Sequence, residues 1–247
     1  MTETKVRFHE TTLGVFAVSF AFMAIAGFES GVVPWSPFYV VYAALATWFP
    51  IYFKTYRFGP IKSLPWWGWV IFCVTCVVVA IVMQAFAGLL LNGVYARIVV
   101  AMGGVERLED PLIDVDAMFN AMFAVASERL GITADTAKTL YLWFITLWAG
   151  IGEELYFRGY VQGTLRKRHS ARYAIVVAAA LFGARHYMQM VLLLPKYPIF
   201  AASAWVVMAF ALGIFLGFLY ERTRSLWLPV IIHYLFNLIA VIGRGVS

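Results

Sequence analysis

Long apolar runs recur along this chain near residues 11–28, 36–53, 66–91, 139–161, 173–194, 199–220 and 226–243. Each approaches or exceeds the ~20 residues that an α-helix needs to cross the hydrocarbon core of a bilayer. Lipid offers no hydrogen bonds to a peptide group, so runs of this length satisfy their backbone internally and become helices. The expected fold is therefore all-α: a polytopic transmembrane helix bundle of about seven spans with a polar intramembrane cavity. Composition agrees, since 63% of the 247 residues are hydrophobic and 13% are charged, with a mean hydropathy of +0.81. A soluble domain of this size is excluded.

The net charge of +6 does not point to nucleic acid, because the basic residues sit at span ends. Lys5 and Arg7, then Lys54, Arg57 and Lys62, then Arg166, Lys167, Arg168 and Arg172, then Arg222 and Arg224 fall at alternate ends of successive runs. This positive-inside pattern places the N-terminus and these loops in the cytoplasm. On the other side lie the segment from Glu29 to Pro37, the connection at about 92–138, the Lys196 turn and the C-terminus. The long connection is net acidic and reads as an external loop. Within it Val115, Met118, Phe119, Met122, Phe123 and Ala126 recur at helical spacing, giving an amphipathic helix that lies on the membrane, caps the bundle or is partly buried.

Nothing divides the chain: no repeat, linker or low-complexity segment interrupts it. It reads as one integral membrane domain over 1–247, with a motif-bearing core at about 139–243 and the acidic loop at about 92–138. The first run resembles a signal peptide, yet its leading segment carries Glu3 and Glu10, so an uncleaved first span is expected. Cys73 and Cys76 have C-x-x-C spacing inside an apolar run, where small apolar packing accounts for them. Gly213-Ile-Phe-Leu-Gly217 is a G-x-x-x-G step that lets two helices approach closely within the molecule.

Charge inside the membrane is where function should lie, because each buried ionisable group costs a few kcal/mol to insert. The fourth, fifth and seventh runs carry Glu153, Glu154, Arg158, Arg185, His186 and His233, while the interiors of the others carry no Asp, Glu, Lys, Arg or His. At ~1.5 Å of rise per residue, Glu153, His186, His233 and Asn237 fall very roughly 10–20 Å deep and are able to meet in one cavity. Glu154 and Arg158 stand one turn apart and are expected to pair. Glu153 is rotated from that line by ~100° and is left for another task. His233 and Asn237 share one face and make a candidate oxyanion hole. Phe182, one turn before His186, is placed to pack against or shield that imidazole.

The chemistry expected of this set is hydrolysis of a peptide bond within the membrane. Glu153 serves as general base, His186 helps bind and polarise the water, and His233 with Asn237 stabilises the oxyanion. No G-x-S-x-G elbow or Ser/His/Asp set competes for the nucleophile role. Arg185 has three options, lining the cavity, pairing with a carboxylate or reaching lipid headgroups, and receives no catalytic assignment.

Three motifs carry a family resemblance. Glu153-Glu154-Leu-Tyr-Phe-Arg158 looks like E-E-x-x-x-R, Phe182-Gly-Ala-Arg-His186 like F-x-x-x-H, and His233-Tyr-Leu-Phe-Asn237 like H-x-x-x-N. Together they resemble the CPBP, or Abi, family of intramembrane proteases, related to the CAAX prenyl endopeptidases of the Ras-converting type. The resemblance implies that Glu153 and His186 activate water and that His233 and Asn237 form the oxyanion hole, with Glu154, Arg158 and Phe182 in support. It also implies a peptide or protein substrate, lipidated or not, in a membrane, by analogy a prokaryotic inner membrane. No cofactor is favoured. A zinc-dependent version stays open, with Glu153, His186 and His233 as its ligands, although H-E-x-x-H is lacking. Two readings from other classes also stand: a non-proteolytic immunity or scaffold protein, and a transporter using the polar residues as a relay.

Overall fold

The computed structural model describes residues 6–27, 37–59, 65–101, 115–190 and 198–242, and among them every regular element is helical. Eight helices are used below: α1 (Thr12–Gly27), α2 (Pro37–Phe53), α3 (66–101), α4 (Val115–Leu130), α5 (134–165), α6 (Ala171–Met190), α7 (Pro198–Thr223) and α8 (Trp227–Ile242). Each apolar run of the sequence thus falls on a helix. Trp66–Gly88 and Ala202–Thr223 are long and apolar enough to cross a membrane, and Thr12–Ile25, Val40–Phe53 and Trp227–Ile242 are shorter apolar helices. Val70, Ile71, Val74, Val78 and Val82 of α3 are all exposed. An apolar face of this extent turned outward is what lipid contact demands.

Two boundaries differ from expectation. The third run does not end near residue 91: the helix continues through Leu89–Tyr95 and Ala96–Ala101, passing the turn-favouring Asn92-Gly93 pair with no proline to remove a backbone donor. The helix of the external connection is real, but it does not lie apart on the membrane. Phe119, Met122, Phe123 and Ala126 are buried, with Phe119 and Phe123 packed edge-on against Tyr141 of α5 at 5.7 and 5.8 Å between ring centroids. The stretch 102–114, with Glu106, Glu109, Asp110 and Asp114, lies outside the described residues, as do residues 1–5 with Lys5, 28–36, 60–64 with Lys62, 191–197 with Lys196, and 243–247. Cys73 is exposed and Cys76 buried, both as free thiols.

Helix α5 is the centre of the bundle. From Leu155 to Gln162 every residue is buried, with α2, α6, α7 and α8 around it. Polar side chains tie it to its neighbours: Tyr156 shares a 3.0 Å hydrogen bond with Ser19 of α1, Trp148 donates to Thr47 of α2 at 2.8 Å, and Gln162 donates to the Gly217 carbonyl of α7 at 3.0 Å. In lipid, where apolar surface gains nothing by leaving its surroundings, such bonds and close packing hold helices together.

The G-x-x-x-G step works within the molecule, as expected. A Cβ placed on Gly213 would lie 2.9 Å from Ala179 Cβ and 3.0 Å from its Cα, so α6 and α7 meet backbone to backbone. A Gly213→Val protein is expected to lose about 1–3 kcal/mol to overpacking. Thermal unfolding in detergent would register this as a clear drop in midpoint, and an unchanged midpoint would contradict the contact.

Candidate active site

The two adjacent carboxylates leave α5 in different directions because the helix advances by roughly 100° between them. Glu154 and Arg158 are one turn apart, and Arg158 Nη1 donates to Glu154 Oε1 at 2.7 Å with both side chains almost fully buried. The expected ion pair is present. Arg158 also donates from Nη2 to the Gly213 carbonyl at 3.3 Å, and its guanidinium lies 4.9 Å from the Phe182 ring centroid. The same Glu154 oxygen accepts from His233 Nδ1 at 2.8 Å. Glu154 therefore joins α5 to α8 and fixes the orientation of the His233 ring.

Glu153 is not left open in the way its helical position promised. Arg185 of α6 donates from Nη1 to Glu153 Oε1 at 2.6 Å, with both side chains 4% exposed or less. The other oxygen, Oε2, faces His233 Nε2 at 3.8 Å. Of the three options open to Arg185, pairing with a carboxylate is the one realised. A carboxylate at this depth without a cation would bear a large desolvation cost, and the guanidinium removes it.

Phe182 forms the wall between the groups. Its ring stands edge-on to His186 at 4.7 Å and to His233 at 5.7 Å between centroids, so it packs against His186 as its spacing implied, and against His233 as well. Its backbone carbonyl accepts from His186 Nδ1 at 2.8 Å. Asn237 follows one turn beyond His233 on α8 and is half-buried. Gln84 of α3 donates to the neighbouring Phe236 carbonyl at 2.5 Å, tying that part of α8 to α3.

These partners fix which ring nitrogen carries the proton. A carbonyl and a paired carboxylate only accept, so His186 and His233 both donate from Nδ1, and in the neutral rings Nε2 is a lone pair in each case. His186 Nε2 accordingly accepts from Arg185 Nη1, at 3.4 Å. His233 Nε2 becomes a donor only in the imidazolium form, which would stand between the Glu153 and Glu154 carboxylates.

The sequence brought Glu153, His186 and His233 together as alternative zinc ligands, with Nδ1–H bonds of the kind that orient metal-ligating histidines. One guanidinium nitrogen bridges Glu153 and His186, so a cation already stands among these donors. Among the described residues, no three His, Cys, Asp or Glu groups are gathered for a metal.

Arg185 and Gln84 are the residues whose place in this site the sequence did not disclose. Arg185 left one signal, a cation buried one residue before the histidine of its motif. Gln84 left only its polarity within an apolar run.

Residues 135–239 match the family model for type II CAAX prenyl endopeptidase Rce1-like proteins. No curated protein and no solved structure matches the chain.

Proposed function

We propose that the chain is an intramembrane endopeptidase in which Glu153 activates the attacking water, a reading supported by the match of residues 135–239 to the type II CAAX prenyl endopeptidase Rce1-like family model. The observation that carries this reading is the division of the carboxylate pair. Glu154 is consumed by Arg158 and His233, whereas Glu153 keeps Oε2 directed at the His233 ring. One carboxylate orients and the other has an oxygen left for a substrate water.

In the proposed reaction Glu153 Oε2 takes a proton from water as the oxygen attacks the scissile carbonyl, and the His186 Nε2 lone pair, held at rest by a long 3.4 Å contact from Arg185, turns to accept from the same water. The tetrahedral oxyanion is met by the Asn237 amide and by His233 as imidazolium, whose Nε2–H is the donor its Glu154 contact leaves over. Glu153 then returns the proton to the departing amine, so one carboxyl group serves as base and then as acid. The Phe182 wall limits the surroundings of the reacting atoms to the polar groups named.

The family is one of integral membrane proteases, which supports a peptide or protein substrate reached from within the bilayer. We further place the N-terminus and the Arg166–Arg172 loop on the cytoplasmic side by the positive-inside rule, in a prokaryotic inner membrane. A substrate carrying an isoprenoid near its C-terminus is the chemistry that the family description favours.

The test is purified full-length protein in lipid vesicles with a panel of membrane-tethered peptides, prenylated and unmodified, and the new termini read by mass spectrometry. A single cut in the prenylated peptides is expected. Absence of any cut across the panel would reject the hydrolase and pass the site to the scaffold reading.

A further inference from the structure

The mechanism gives no part to the most deeply placed cation of α6. We propose that Arg185 is the resident cation of the reaction centre: a positioning residue whose guanidinium holds Glu153 and His186 in working register and supplies, without a metal, the fixed positive charge beside the developing oxyanion. The inference rests on the hydrolase reading of this site and adds to it a residue that the F-x-x-x-H motif spans but does not specify.

The geometry assigns the role. Arg185 is 2% exposed, so its charge is a fixed feature of the site and not one that snorkels to the surface. Nη1 reaches the Glu153 carboxylate at 2.6 Å and the His186 lone pair at 3.4 Å, and Cζ lies 5.1 Å from the Tyr42 ring centroid. The ring lends a third, face-on support to the cation. A planar guanidinium with several donors in fixed directions can hold two acceptors at once, which an ammonium does poorly, and it stays protonated throughout. By taking Oε1 of Glu153, Arg185 leaves Oε2 as the oxygen that meets water. By facing Nε2 of His186, it keeps that nitrogen in the acceptor form set by the Phe182 carbonyl.

Charge bookkeeping agrees. With His233 neutral, Glu153 and Glu154 contribute two negative charges and Arg158 and Arg185 two positive ones, so each carboxylate has its own cation and the imidazolium proton of the working site is the charge set against the oxyanion. Arg158 faces Glu154 and the Gly213 carbonyl. Arg185 is the guanidinium on the Glu153 and His186 side, where charge changes during hydrolysis. A divalent ion would have to displace it.

A purely structural ion pair would predict loss of folding with no distinctive kinetics, so the test reads catalysis and metal binding together in full-length protein in vesicles. R185M is expected to lower kcat on the order of 10²–10³-fold, as removal of a preorganised donor does, with KM close to wild type. R185K is expected to fall between the two. In R185A, which leaves room for the missing group, methylguanidinium added to the buffer is expected to restore part of kcat, an effect that a folding defect would not show. Cobalt titration of the wild type is expected to give no visible absorption from a bound ion. R185M with wild-type kcat would overturn the proposal, and so would a wild-type cobalt signal that disappears in H186A. Should the wild type cut no peptide, the hydrolase reading falls, while the cobalt titration still decides whether the guanidinium or a metal is the cation.

Discussion

An Arg158→Met protein is expected to be destabilised by about 3–5 kcal/mol, the cost of leaving a buried carboxylate without its cation. The side chain is 1% exposed, the Glu154 carboxylate it serves is fully buried, and Oε2 of that carboxylate has no hydrogen-bond partner among the described residues. Removing Nη1 would leave His233 Nδ1 as the remaining donor to Oε1, and removing Nη2 would also free the Gly213 carbonyl at the α6–α7 approach. Methionine nearly preserves volume, so the loss should be electrostatic and not a cavity effect. A Glu154→Gln/Arg158→Met double variant should recover much of the loss, because a neutral amide no longer demands a counter-charge and still accepts from His233. Chemical unfolding of the two variants and the wild type measures both effects. An Arg158→Met midpoint equal to wild type would mean that Arg158 does not stabilise the buried Glu154 carboxylate through which α5 meets His233 of α8.

The site was legible in the sequence where one helix contained the whole relation. Glu154 with Arg158 and Phe182 with His186 are contacts within a turn, and periodicity alone decides them. Relations between helices were beyond that reach. Whether Glu153 faces Arg185, His186 or His233 depends on how far α5 and α6 rotate about their axes, which no single period sets. The sequence therefore left Arg185 with three options, and it grouped Glu153 with His186 and His233 by depth alone without assigning which of them its oxygens face.

Local geometry hid a second feature. Helix α5 widens to i→i+5 hydrogen bonding over Tyr141–Ile145, Ala149–Glu153 and Leu155–Gln162, and no residue type announces it. Such widened turns are frequent at functional sites. Here one of them ends on Glu153 and the next begins at Leu155, directly after Glu154. Helix existence was legible for a simpler reason: in lipid an apolar run of bilayer length has few alternatives. Helix ends were not, as the continuation of α3 to residue 101 illustrates.

The largest kinetic effect belongs to Glu153. Replacing it with glutamine keeps the shape and an oxygen for Arg185 to bind, but removes the group that takes and returns the proton. General acid–base catalysis of this kind contributes about 10²–10⁴ in rate, so Glu153→Gln is expected to reduce kcat by that factor or more. The measurement that tests the account most directly is cleavage of a membrane-tethered peptide by wild type and Glu153→Gln side by side, each with and without a strong metal chelator, with thermal melts to show that both are folded. The account predicts that the wild type cuts equally well under chelation and that the folded variant scarcely cuts at all. A folded Glu153→Gln protein that cuts at the wild-type rate would contradict it.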